Sequence, residues 1–313
     1  MNDKIYLVGD TGFVGSNLLR AYSGFSMLAN SKTVKHMYGG SPDVLVYAGV
    51  TGTKWYACNH EKEDAEVIKH AEENIFRIRP KKLILISTVD VYDTLEDVDE
   101  SHENDFRKLC VYGKHRLLLE EWVKENVNDY MIVRLPAIYG ENLKKNFIYD
   151  MCHFIPKILT EDKIREIEDD IRNIRTFYDK DEEGLYHLIQ LPELQYQQLK
   201  HKFRNIKNNA LMFTNSSSEY QFYNLKHLWY HIWRALEHEI KIVNLVTEPV
   251  SAGDVYSYVY HQEFQNNSVG EIKYHLKSNS SFPMVGRKKY FYTKEEVLKD
   301  LKDYILLQSN PIK

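Results

Sequence analysis

The stretch KIYLVGDTGFVGSNLLRAYSG, residues 4–24, decides the fold. Lys4 to Val8 is a β-branched and aromatic run with the composition of a strand. Gly9, Gly12 and Gly15 follow with G-x-x-G-x-x-G spacing, and SNLLRAYSG then reads as a helix that stops near Gly24. Strand, glycine turn and helix make a βα unit. Glycines at such a turn let backbone N–H groups approach a pyrophosphate at the positive end of the helix dipole. The spacing differs from the G-x-G-x-x-G dinucleotide fingerprint. A turn that merely packs close to its strand is the competing reading. The strand directly before and the helix directly after favour nucleotide binding.

The same alternation continues along the chain. DVLVYAGV (43–50), KKLILIST (81–88) and YMIVRLP (130–136) are nearly continuous apolar runs, as expected of parallel strands buried on both faces. FSMLANSKT (25–33) has room for a further strand. Residues 61–79 carry apolar positions at Ala65, Ile68, Ala71 or Ile75, and Ile78, an amphipathic helix, and 109–126 predicts another. This order implies an α/β protein, a Rossmann-type doubly wound parallel sheet with a smaller, largely helical C-terminal lobe. The first domain is expected over 1–150, rejoined by the chain at about 238–262 through KIVNLV (241–246). Residues 151–313 form mainly the second lobe, with a polar helical insertion at about 157–207 whose apolar stripe is Ile164, Ile167, Ile171, Ile174 and Tyr178. Thr293 and Glu296 have the spacing of a capping box.

Composition sets the outer limits. The 313 residues are 43% hydrophobic and 27% charged, ordinary for a globular protein with a sizeable core. No run approaches the roughly 18 apolar residues of a membrane span, and the N-terminus lacks the layout of a secretory signal. Three scattered cysteines, Cys58, Cys110 and Cys152, suit neither a disulfide framework nor a zinc spacing, so a reducing cytoplasm is expected. A net charge of −4 without basic tracts argues against nucleic acid as partner. The histidines form no H-E-x-x-H motif, and no metal is assigned.

Taken in order, VGDTGFVGSNLL (8–19), VYAGV (46–50), LISTVDVY (85–92), VYGKHR (111–116), VRLPAIYG (133–140) and VNLVTEPVSAGDV (243–255) resemble the extended short-chain dehydrogenase/reductase superfamily. That superfamily includes nucleotide-sugar epimerases, dehydratases and reductases. The likeness covers most of the chain and is weak between about 157 and 215. It implies that Gly9, Thr11, Gly12, Phe13, Val14 and Gly15 hold a dinucleotide, with Ala48 and Gly49 at a neighbouring strand end and Pro136 beside the nicotinamide. Asn30, Ser31 and Lys32 stand where the family often has an acid for NAD; a lysine there suits the 2′-phosphate of NADP, the competing reading being a solvated loop lysine. Asn146 resembles a substrate-contacting asparagine, with a turn role as the alternative.

The resemblance also implies the chemistry. Tyr112 is the acid/base, its hydroxyl pKa of about 10 lowered by a cation, and Thr88 hydrogen-bonds the same substrate oxygen. The family places lysine where this chain has Arg116. Positions 112 and 116 share a helix face that continues through Leu119 and Val123, so a charge there needs a partner: a cofactor ribose or phosphate, or an acidic side chain. At about 4 Å and a dielectric near 20 the guanidinium contributes on the order of 4 kcal/mol, or roughly 3 pKa units toward the phenolate. Asp90 stands near the family position of a proton-transferring side chain, or simply binds loop backbone. Val89, where dehydratases carry aspartate, disfavours dehydration. The expected function is NAD(P)-dependent epimerisation or 4-keto reduction of a nucleotide-activated sugar, in a cytoplasmic protein with no membrane partner and as a homodimer. The alternative is a dinucleotide-binding protein that has lost catalysis and serves regulation or assembly.

Overall fold

The computed structural model describes residues 3–279 and 289–309. The chain divides into two compact units: residues 1–142 with 220–250 and 273–297, and residues 143–219 with 251–272 and 298–313.

The first unit is built on a six-stranded parallel sheet. Its strands are β1 (Ile5–Val8), β2 (Met27–Ala29), β3 (Val44–Tyr47), β4 (Lys82–Thr88), β5 (Tyr130–Leu135) and, returning late in the chain, Ile242–Asn244. The spatial order is β2, β1, β3, β4, β5, then 242–244. The chain therefore steps from β1 outward to β2 and then crosses to the opposite side of β1 for β3. That reversal opens a crevice beyond the carboxyl ends of β1 and β3, the place where open α/β sheets bind ligands. A short β6 (Ala137–Tyr139) runs on from β5 and pairs in parallel with Phe222–Asn224.

Both faces of the sheet are covered because successive strand residues point to opposite sides. On one face Leu45, Leu83, Leu85 and Ile132 pack against Ile68, Ala71, Ile75 and Ile78 of α3 (Glu61–Ile78) and Leu119 and Val123 of α4 (Val111–Asn126). On the other, Val46, Ile84, Met131 and Val133 meet Leu18 of α1 (Phe13–Ala21) and Leu228 and Ile232 of the helix Leu228–Glu237. Charge is also sealed inside: Arg134 of β5 donates to Glu120 of α4 at 2.5 Å and to Tyr92 Oη at 2.6 Å, fixing helix to strand. Further along, Thr293 and Glu296 make the expected capping box, Thr293 N–H donating to the Glu296 carboxylate at 2.9 Å.

The second unit corrects the sequence reading of 157–207. After α5 (Phe147–His153), β7 (Ile158–Leu159) precedes α6 (Glu161–Glu168), then β8 (Tyr178–Lys180) and β9 (Tyr186–Leu188) form a hairpin, and α7 (Glu193–Arg204) closes the segment. The three strands make one antiparallel sheet, with β9 central. All five stripe residues are buried, but only Ile164 and Ile167 lie on α6. Asn173, at φ +62°, interrupts the helical path, and the Asp181 carboxylate accepts from the N–H groups of Glu183 and Leu185 while Gly184, at φ +86°, turns the hairpin.

Candidate functional site

The glycine turn joins β1 to α1. Gly9 has φ +95°, and a Cβ on it would lie 2.3 Å from the Ala48 carbonyl oxygen; a Cβ on Gly15 would lie 2.1 Å from the Gly9 oxygen. These two glycines are therefore dictated by the protein's own packing: turn against the end of β3, helix against turn. Gly12 is different. It is exposed, has an ordinary φ of −74°, and is the N-cap of α1 without a side-chain cap. The first turn of α1, with Phe13, Val14 and Gly15, contains no acid. Uncapped N–H groups at the positive end of a helix suit an anion. Thr11, exposed beside them, donates its own N–H to Asp10 at 2.9 Å. Asn17, passed over in the sequence, braces the helix by donating to the Phe13 and Glu141 carbonyls at 2.8 and 2.9 Å.

Beyond β2, Asn30 organises a turn: its Oδ1 accepts from Lys32 N–H at 3.0 Å and its N–H donates to the Thr33 hydroxyl at 3.1 Å. Ser31 and Lys35 line a cavity of about 600 Å³ together with Val8, Tyr47, Gly49 and Thr51. Lys32, the lysine singled out in the sequence, is exposed and does not line it. Ala48 donates its N–H to Val8 at 2.9 Å and ends β3, with Gly49 exposed beside it.

The second cluster stands at the carboxyl end of β4. Thr88 closes that strand, its hydroxyl accepting from Asp90 N–H at 3.2 Å and standing near enough to the Tyr112 phenol to favour its ionisation. Gly113, in the first turn of α4, permits this approach, since a Cβ there would lie 1.9 Å from the Asp90 carbonyl oxygen. The Tyr112 hydroxyl points toward the loop after β3, 4.0 Å from where a Cβ on Gly52 would stand. Thr88, Asp90 and Tyr112 are thus brought together at one sheet edge.

Of the partners the sequence left open for Arg116, the structure supplies an acidic side chain. It is 4% exposed, and its guanidinium lies over the face of the Tyr112 ring, 4.0 Å from the centroid. Both terminal nitrogens are held by Asp64 of α3, Nη1 on Oδ2 and Nη2 on Oδ1 at 2.8 Å, and Nη2 also donates to the Thr51 carbonyl at 2.6 Å. His115 Nδ1 lies 2.8 Å from the same carboxylate. Burial pushes the Asp64 carboxyl up, but Arg116 and His115 hold it below its ordinary value. Among the described residues, Arg116 Nε is the one buried side-chain nitrogen or oxygen without a hydrogen-bond partner.

The expected lowering of the phenol pKa therefore needs correcting. Burial raises Tyr112 above its ordinary value, and Asp90 adds to the rise, outweighing the pull of Arg116, Thr88 and Lys54. A guanidinium already neutralised by a carboxylate and set over the ring face does not offset the loss of solvent around the oxygen.

Asp90 has its own cation. Lys54, first residue of α2 (Lys54–Asn59), donates to Asp90 Oδ1 at 2.8 Å, and the Tyr274 hydroxyl donates to the same oxygen at 3.2 Å. Neither residue carried a motif. Pro136 ends β5 half-buried, just before β6. Asn146 lies in the second unit at φ +100°, where its side-chain oxygen caps α5 by accepting from Ile148 and Tyr149 N–H at 3.0 and 3.2 Å. His227 and His231 are four apart, but among the described residues no three His, Cys, Asp or Glu side chains converge as a metal site. Nor is any described helix long and apolar enough to cross a membrane.

This sheet order, with a glycine turn on one strand end and a Thr–Tyr pair on another, defines a Rossmann-type protein of the extended short-chain dehydrogenase/reductase kind. The chain belongs to the RmlD substrate binding domain family, whose profile matches residues 3–173. No curated protein sequence matches the chain. Among solved structures it is similar to a dTDP-4-dehydrorhamnose reductase from Bacillus anthracis in complex with NADP, at 13% identity, 98% of each chain and a TM-score of 0.63. A UDP-N-acetylglucosamine 4-epimerase from Bacillus cereus matches at 13% identity, over 98% of this chain and 100% of that one, with a TM-score of 0.57. A UDP-glucuronic acid 4-epimerase from Bacillus cereus, in complex with UDP-4-deoxy-4-fluoro-glucuronic acid and NAD, matches at 16% identity, 97% and 99% coverage and a TM-score of 0.57.

Proposed function

We propose that this chain is an NAD(P)-dependent enzyme that reduces the 4-keto group of a nucleotide-activated sugar, with Tyr112 as proton donor. The observation that carries the reading is the Thr88–Tyr112 pair at the carboxyl edge of the sheet that also bears the uncapped glycine turn. Membership of the RmlD substrate binding domain family, and neighbours crystallised with NADP or NAD, support it. The dinucleotide fits the residues present: Gly12 leaves room for a pyrophosphate, and Phe13, Val14 and Gly15 would hold it through backbone N–H groups. The absence of an acid at Asn30, Ser31 and Lys32, with Lys35 lining the adjacent cavity, supports NADP over NAD. When bound, the nicotinamide supplies the hydride.

The protein's own groups do the rest. Thr88 hydrogen-bonds the ketone oxygen, and Tyr112 Oη transfers its proton to that oxygen as the alcohol forms. Reduction needs the protonated phenol and epimerisation first needs the phenolate as base; the match to the RmlD substrate binding domain family and the likeness to dTDP-4-dehydrorhamnose reductases support reduction. The second unit is proposed to hold the sugar nucleotide. The test is oxidation of NADPH in the presence of a dTDP-4-keto-6-deoxy sugar. Tyr112→Phe is expected to slow turnover by about 10²- to 10⁴-fold; parental rates in that variant would overturn the assignment.

One observation favours a second reading. Arg116 is committed to Asp64, which is compatible with a dinucleotide-binding protein that no longer turns over. Arg116→Lys separates the two, a large gain in rate marking a degraded site and a loss marking an arginine adapted to the present chemistry.

A further inference from the structure

Two ion pairs flank the Tyr112 phenol, and they differ in kind. The inner pair, Arg116–Asp64, lies behind the ring with side chains 5% and 1% exposed. Its arginine is fixed by Asp64 and the Thr51 carbonyl, so it is not free to move relative to the phenol. The outer pair, Lys54–Asp90, lies at the sheet edge with the lysine side chain 47% and the aspartate 17% exposed. The charged and titratable groups around the phenol are Arg116 on its own helix, with His115 and Asp64 behind it, Asp90 after β4, and Lys54 on α2 with Cys110 near its ammonium. Tyr274 completes the Asp90 shell through its hydroxyl.

Within this set Asp90 is the negative charge that opposes ionisation of the phenol, and Lys54 is the cation seated on Asp90. We propose that Lys54 is a positioning residue for proton transfer: by holding Asp90 in an ion pair it screens that carboxylate from the Tyr112 oxygen, so that the phenol can release its proton to the substrate. The proposal deepens the reductase reading and rests on it for its kinetic consequence, but the electrostatic relation belongs to the protein without substrate. The proton travels from Tyr112 Oη to the ketone oxygen; Lys54 and Asp90 neither gain nor lose one. A neutral residue at 54 leaves Asp90 unscreened and makes the phenolate harder to form. A neutral residue at 90 leaves Lys54 unpaired and makes it easier. Removing both charges together returns the phenol close to where it began.

The test reads the phenol directly. Tyr112→3,5-difluorotyrosine brings the ionisation into a convenient pH range and confines the ¹⁹F signal to that residue. In that background Lys54→Gln is expected to raise the midpoint by about one pH unit, Asp90→Asn to lower it by about one, and the double variant to lie between them. Midpoints unmoved by either single variant, or moved in the same direction by both, would overturn the proposal. Turnover is a separate readout on the natural tyrosine: Lys54→Gln should lower kcat about tenfold at unchanged KM, with Lys54→Arg restoring most of it. If the fluorine midpoints shift as stated while even the parent protein fails to oxidise NADPH with the keto sugar, the reductase reading falls and the electrostatic coupling stands. If the parent turns over and the midpoints stay fixed, the reverse holds.

Discussion

At the glycine turn the protein leaves donors open, whereas on α4 it has closed its charges upon one another. The N-terminus of α1 has no capping side chain and no acid in its first turn, so its N–H groups still want an anion. On the α3–α4 face of the sheet, opposite α1, Arg116 lies against Asp64, its two terminal nitrogens matched to two carboxylate oxygens. Both regions match stretches of the same superfamily, yet the first keeps a row of open backbone donors, while among the described side chains of the second only Arg116 Nε is buried without a partner. A motif position can thus keep its charge while that charge is bound within the fold, and the substitution of arginine for lysine matters because a planar fork fits a carboxylate in a way an ammonium does not.

The comparison can be broken first at its closed half. Asp64→Ala leaves a guanidinium buried and unpaired, and thermal or denaturant unfolding should show a loss of about 3–5 kcal/mol; a loss below about 1 kcal/mol would mean that the pair does not hold α3 to α4. The open half is sharpened by its glycines. Gly9→Ala and Gly15→Ala drive a methyl into backbone oxygen at 2.3 and 2.1 Å, and each should cost about 2–3 kcal/mol even without any ligand present. A third test concerns a buried group kept neutral, and its effect appears only as pH falls. His231, 3% exposed, has its Nδ1 2.6 Å from the Tyr223 hydroxyl, and burial pushes its pKa down to about 3. Its folded value lies below its unfolded value of about 6.5, so the associated stability is full above that pH and is lost as pH falls toward 3. His231→Gln should flatten the fall in melting temperature between pH 7 and pH 4; an unchanged slope would contradict the neutral assignment.

What the sequence makes legible here is local. Apolar runs such as LVY in β3 and LILI in β4 name buried strands on their own, and the glycine turn, Thr88 and Tyr112 each sit at a strand or helix end that can be read from the neighbours. Partners across the fold are not legible in the same way. Asp64 is 52 residues from Arg116 and Lys54 is 36 from Asp90, and both meet their partners only because adjacent strands are parallel. A faint signal for Asp64 exists: it stands one turn before Ile68 on the apolar stripe of α3, and an acid on a buried face needs a cation. The 157–207 segment shows the opposite failure. Isoleucines at helical spacing hide a hairpin that Asp181 and Gly184 impose, because burial of a stripe does not specify which backbone carries it.

The central claim is that the bare end of α1 grips a pyrophosphate, and calorimetric titration of NADPH into the parent and a Gly12→Asp variant tests it most directly. Aspartate is a good N-cap, which offsets the close approach of its Cβ to the Gly9 oxygen at 3.1 Å, and thermal unfolding of the variant checks that it remains folded. Its carboxylate would take the very N–H groups the ligand needs, and binding should weaken by at least about tenfold. Saturable binding by the parent, largely lost in the variant, is the predicted result. No binding by the parent, or equal binding by both proteins, would contradict the account.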